Sequence, residues 1–124
     1  MMKLSTLRKF CLSLPGAVED FPFGEGTLVV KVGGKMFALI ALDADPLRIN
    51  LKCDPLLART YREQYPSIIP GYHMNKDHWN TVCFDGSLKD AFIRQMIVHS
   101  HTLVVESLPK TQQARLLRNA LPEA

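Results

Sequence analysis

Thr27-Leu-Val-Val-Lys-Val-Gly-Gly-Lys-Met-Phe-Ala-Leu-Ile-Ala-Leu42 is the stretch that decides the fold. Thr27–Val32 alternates, with Leu28, Val30 and Val32 on one face and Val29 and Lys31 on the other, the period of a half-buried strand. Gly33-Gly34 supplies the positive φ values that a two-residue hairpin turn demands. Lys35–Leu42 then returns as a nearly continuous apolar strand. Asp43-Ala44-Asp45-Pro46 is a turn by composition. Leu47–Cys53 alternates again, with Leu47, Ile49, Leu51 and Cys53 inward and Arg48, Asn50 and Lys52 outward. Three strands joined by short turns predict an antiparallel meander.

Helical periods flank this meander. Leu4, Leu7, Cys11 and Leu14 recur at three- and four-residue spacing and predict a helix over 4–14, stopped by Pro15-Gly16. The acidic, turn-rich run Glu19–Gly26 follows, with Phe21 and Phe23 expected to pin it to the core and a weakly signalled strand over Ala17–Asp20. Asp54-Pro55 reads as an N-cap followed by proline at the first helical position, with Leu57 and Tyr61 spaced to pack beneath the helix. Pro66 and Pro70-Gly71 are breakers. His78–Phe84 reads as the last strand, closed by Asp85-Gly86. Ser87 with Asp90 resembles a capping box opening a long helix to about Ser107. Pro109 separates it from Lys110–Leu121, a short helix or tail. The expected fold is α+β, a single antiparallel β-sheet of four to five strands packed against helices, in one domain over residues 1–124.

The 124-residue length suits one domain, and 47% hydrophobic with 22% charged residues excludes wholesale disorder. Lys and Arg outnumber Asp and Glu by 15 to 12, a mild excess well below that of a protein that coats nucleic acid. No apolar run approaches the ~20 residues needed to cross a bilayer, and the N-terminus lacks a signal-peptide core. Cysteines are three, Cys11, Cys53 and Cys83, without a CxxC pair, and read as small buried hydrophobes in a reducing cytoplasm.

The chemistry-bearing residues are sparse. His73 and His78 match no tight zinc spacing, and His99 and His101, two apart on a helix, point to different faces. Exposed or helix-capping histidines are the expectation, with no metal and no cofactor. No nucleophile motif such as GxSxG is present, and Asp77 beside His78 is sequence adjacency only. Neither Gly24-Glu25-Gly26 nor Gly33-Gly34 has the strand–loop–helix setting of a phosphate loop. Positive charge gathers instead on the hairpin and second helix, at Lys31, Lys35, Arg48, Lys52, Arg59, Arg62 and Lys76. Lys31 with the outward Arg48 and Lys52 leaves two readings open: ordinary solvated faces, which charge alone favours, and one basic sheet surface able to follow phosphates.

The run His73-Met-Asn-Lys-Asp-His-Trp-Asn-Thr-Val-Cys-Phe-Asp-Gly-Ser87 resembles the signature of the MmcQ/YjbR family, in which a Lys-x-His-Trp block precedes a strand and Asp-Gly-Ser opens a helix. Phe10-Cys11 to Pro15-Gly16-Ala17, Phe21-Pro22-Phe23-Gly24, Leu51-Lys52-Cys53-Asp54-Pro55 and Leu108-Pro109-Lys110 resemble its other junctions. The helix ending in Ser100 is similar too, although His101 stands where Tyr is frequent. The resemblance implies one antiparallel sheet backed by helices and DNA binding through a double-wing motif, in which hairpins flank a helix. It carries over no catalytic residue. The block His73, Asn75, Lys76, His78, Trp79 and Asn80 is the matching functional candidate, with anchoring of Trp79 in the core or at its rim as the competing structural role.

The expectation is therefore a cytoplasmic, monomeric, non-enzymatic protein that binds DNA weakly and in a salt-sensitive way. The hairpin at Gly33-Gly34 would be a wing, Lys31, Lys35, Arg48 and Lys52 would contact phosphates, and Lys76 and His78 would lie nearby. The alternative is a small adaptor binding a protein or ligand in a groove between sheet and helices near Trp79 and His73.

Overall fold

The computed structural model describes Met2–Gly71 and Met74–Ala120. Six strands form among these residues: β1 (Val18–Asp20), β2 (Thr27–Val32), β3 (Lys35–Ala41), β4 (Arg48–Lys52), β5 (Ile68–Pro70) and β6 (Trp79–Cys83). The helices are α1 (Leu4–Ser13), α2 (Pro55–Gln64), α3 (Asp90–Glu106) and α4 (Lys110–Ala120). One sheet orders the strands β1-β2-β3-β4-β6-β5, antiparallel throughout. The meander occupies its centre as the alternation requires, and β6 extends it beside β4.

The strand β5 is absent from the sequence reading, which counted four to five strands. Three residues ending in proline carry no period, and proline is tolerated there because β5 is an edge strand. Gly71 follows because a Cβ at that position would lie 2.8 Å from Cβ of Trp79. The close approach lets the Gly71 N–H donate to the Trp79 carbonyl at 2.9 Å and so seats the start of β6.

Strand alternation separates the sheet into two unlike faces. Leu28, Val30, Val32, Ala38, Ile40, Ile49, Leu51 and Val82 pack against Leu7 and Cys11 of α1 and Ile93, Met96, Ile97 and Val104 of α3. Burial of each large side chain contributes roughly 1.5–3 kcal/mol. The opposite face carries no helix in its small cluster of Val29, Leu39 and Trp79, bordered by Met36 and Met74.

A bulge joins the faces. Val30 pairs with Ala38 but Lys31 pairs with Met36, so Phe37 is the extra residue and turns into the core. The β3–β4 ladder ends at Ala38 and Leu51. Where Phe37 and Lys52 would pair next, the fully buried Ser100 hydroxyl intervenes. It donates to the Phe37 carbonyl at 2.6 Å and accepts the Lys52 N–H at 2.9 Å. The Phe37 ring meets His101 edge-on at 5.1 Å.

Other expectations are corrected here. Ser87 does not cap α3, which starts at Asp90 with Lys89 at its N-cap. Its hydroxyl donates back to Asp85 at 2.6 Å, so local loop closure outcompetes capping. Phe21 and Phe23 are 41% and 62% exposed and do not pin their loop to the core. His101 is neither exposed nor a cap. It is buried on α3, and its Nε2 donates to the Pro15 carbonyl at 2.8 Å. Asp54 does cap α2, accepting the Leu57 N–H at 3.1 Å.

Candidate functional site

The helix-free face of the sheet gathers the outward residues of successive strands. Cross-strand register sets Val29 beside Leu39, Leu39 beside Asn50, and Asn50 beside Thr81, with Ile69 of β5 beyond. A parallel row runs Thr27, Ala41, Arg48 and Cys83. On the other side Lys52 stands opposite Trp79. The shape is a concavity of about 440 Å³ lined by Thr27, Leu39, Arg48, Asn50, Met74 and Thr81, with Phe23 and Ile69 also bordering it. That volume lies within the usual range of small-molecule sites.

Its polar chemistry is compact. The Thr81 hydroxyl donates to Oδ1 of Asn50, which fixes that amide and leaves its NH₂ directed away from the shared bond. Arg48 and Lys52 make no ion pair among the described residues. They stand about 13 Å apart at ~3.3 Å per strand residue. Cys83 shares the Arg48 row; burial pushes its thiol up, against the opposing pull of the Arg48 charge.

The six residues expected to contact nucleic acid do not all meet on this face. Lys31, Arg48 and Lys52 are there, but Nζ of Lys31 is tied to Asp20 at 2.9 Å. That contact, with the Phe21 backbone N–H, holds the Asp20 carboxyl below its ordinary range. Lys35 is on the other side. The two-residue turn pairs it with Val32, whose side chain is in the core, and its Nζ reaches the Ser107 hydroxyl at 3.2 Å. The hairpin tip is also held down, since a Cβ on Gly33 (φ +59°) would stand 2.6 Å from Leu108. The hairpin expected as a wing thus approaches the α3–α4 junction at Gly33, while Gly34 faces open space. Lys76 and His78 are exposed in the loop before β6.

The candidate block is split in the same way. His73 lies outside the described residues. Asn75 shapes the loop by accepting the Asp77 N–H at 3.0 Å, and His78 fixes it through its backbone, accepting the Cys53 N–H at 2.8 Å. Trp79 is 9% exposed and anchors the helix-free face, whereas Asn80 points into the core. Asn80 donates to the Ala58 carbonyl at 3.3 Å, and its Oδ1 is buried without a partner among the described residues. Of the groove expected between sheet and helices, the described residues show a cavity of about 10 Å³ beside Cys53, Tyr61, Asn80 and His99. Burial pushes the thiols of Cys11 and Cys53 up to about 12 and about 11. Cysteines in such surroundings are inert packing groups.

Phe23, Leu39, Ile69, Met74 and Thr81 escaped the sequence reading as site residues. Extending the β6 alternation to the odd positions Trp79, Thr81 and Cys83 identifies Thr81. Nothing local signals Ile69 or Met74, which the fold brings in from β5 and the following loop.

The YjbR family model matches residues 12–103. The chain belongs to the YjbR family. It is similar to the Uncharacterized protein YbdF of Escherichia coli O157:H7, at 40% identity over 90% of this chain and 91% of that one. Similarity to the Uncharacterized protein YjbR of Escherichia coli K12 is 32% over 94% and 99%. Among solved structures, Deinococcus radiodurans protein DR2400, family-model domain DUF419, superposes with a TM-score of 0.88 at 38% identity, covering 100% of this chain and 92% of that one. A Pseudomonas syringae protein gives 0.71 at 27%, over 83% and 99%. No described helix is long and apolar enough to cross a membrane.

Proposed function

We propose that this YjbR-family chain is a non-enzymatic DNA-binding protein that uses the helix-free face of its sheet. The observation that carries the reading is Arg48 and Lys52 on one strand of that face, without carboxylate partners among the described residues. Two unpaired cations on a rigid strand, with Lys76 at the neighbouring loop, supply phosphate contacts at fixed spacing. Lys31 contributes less, because Asp20 already neutralises it. Lys35 is left out because it faces the helices.

With three phosphates neutralised, duplex affinity should fall roughly fortyfold between 50 and 200 mM salt. Binding of a labelled DNA fragment, read by fluorescence anisotropy at both salts, tests this. Arg48→Glu with Lys52→Glu should abolish binding, while Lys35→Glu should leave it nearly unchanged. Absence of binding at low salt, or indifference to the double substitution, refutes the reading. The second reading is a small-ligand module, favoured by the 440 Å³ concavity itself. It predicts a ligand whose affinity barely responds to salt.

A further inference from the structure

We propose that the concavity on the helix-free face receives one unpaired base of a single-stranded nucleic acid. The inference rests on the reading above and narrows it from DNA in general to strands with unstacked bases. Proteins read duplex grooves with elements that protrude, an α-helix or a β-ribbon. Here the candidate ribbon, the β2–β3 hairpin, is docked against Leu108, and its Lys35 is bonded to Ser107. The cations instead stand on β4, inside the sheet rather than at its edge. Beside them lie the concavity and the exposed Phe23, which borders it. Phosphates of a duplex would be met by a hollow, whereas a single strand can lay its backbone over Arg48 and Lys52 and turn a base inward.

The hollow has the mixed lining that such a base requires. Phe23 offers a ring for stacking, and Leu39 and Ile69 offer apolar surface. Asn50, whose Oδ1 is engaged by the buried Thr81 hydroxyl, brings its NH₂ as a donor to the lining. The exposed ring of Phe23 costs the folded chain apolar surface in water, which a stacking partner removes.

The test compares a fluorescein-labelled oligothymidine, an oligouridine of equal length, a duplex of the same length and thymidine monophosphate, all at low salt. The expected result is at least tenfold tighter binding of a single strand than of duplex. Phe23→Ala should weaken the strand roughly ten- to hundredfold while leaving the duplex unchanged. The DNA and RNA arms identify which sugar is preferred, and either preference supports the inference. Equal affinity for strand and duplex, with no effect of Phe23→Ala, overturns it and leaves the phosphate-binding proposal standing. Monophosphate binding as tight as the strand overturns it in favour of a small-ligand site. Absence of all binding removes both proposals.

Discussion

Removing the Ser100 hydroxyl should unfasten the junction between the helices and the sheet. Ser100 is fully buried and bridges two backbone groups that the Phe37 bulge has separated. It donates to the Phe37 carbonyl at 2.6 Å and accepts the Lys52 N–H at 2.9 Å. Ser100→Ala deletes both bonds without adding bulk. Each hydrogen bond contributes about 1 kcal/mol net, and a buried group left unmet costs roughly 1–3 kcal/mol. The Phe37 carbonyl lies in the core and bears the larger penalty, while the Lys52 amide is only partly buried. The expected loss is therefore about 2–4 kcal/mol, a large share of the ~5–15 kcal/mol of a typical domain. Urea unfolding followed by circular dichroism should show a lower midpoint with unchanged slope. Hydrogen exchange at the Lys52 amide should accelerate by more than the global change. A loss below about 1 kcal/mol would refute the reasoning, because it would mean that Phe37 and Lys52 close the ladder without the serine.

Three further outcomes are expected. The Asp85 carboxyl is held at about 2 by hydrogen bonds from the Ser67 hydroxyl and then from the Ser87 hydroxyl and N–H. Its contribution is fully present above about pH 4 and is lost as pH falls through about 2, so thermal scans should show an acid decline that Asp85→Asn flattens. Gly33→Ala should destabilise more than Gly34→Ala, since both adopt positive φ but only Gly33 would meet a neighbour, Leu108; adding Leu108→Ala should narrow the gap in melting temperature. In the native protein a thiol reagent should modify the half-buried Cys83 first, with Cys11 and Cys53 reacting only on unfolding, as mass spectrometry of timed aliquots would show.

The central meander was legible because two signals agreed there. Alternation in Thr27–Val32 and Leu47–Cys53 assigned faces, and Gly33-Gly34 set a tight turn that fixed register. The same alternation put Arg48, Asn50 and Lys52 on one face. It said nothing of Lys35, which the turn pairs with the inward Val32. It failed in β3, where the bulge makes both Phe37 and Ala38 core residues. Short edge strands have no room for a period, so β5 was hidden between its prolines. The exposed Phe21 and Phe23 were misread because apolar content alone does not distinguish a core residue from a surface ring.

Trp79, Asn80 and Thr81 show why the shared block does not by itself name a partner. They are consecutive on β6, so pleating sends them to alternate faces. Trp79 buttresses the helix-free face, Asn80 bonds α2 from within the core, and Thr81 orients Asn50 in the hollow. Only the last of these acts directly on the concavity. A substitution of Trp79 or Asn80 that abolished binding would thus report packing as readily as recognition. Discrimination falls to side chains that the fold can lose without penalty: Phe23, which is 62% exposed, and Arg48, which has no ion-pair partner among the described residues. Their removal leaves the core untouched, so a change in affinity without a change in stability assigns the helix-free face its role.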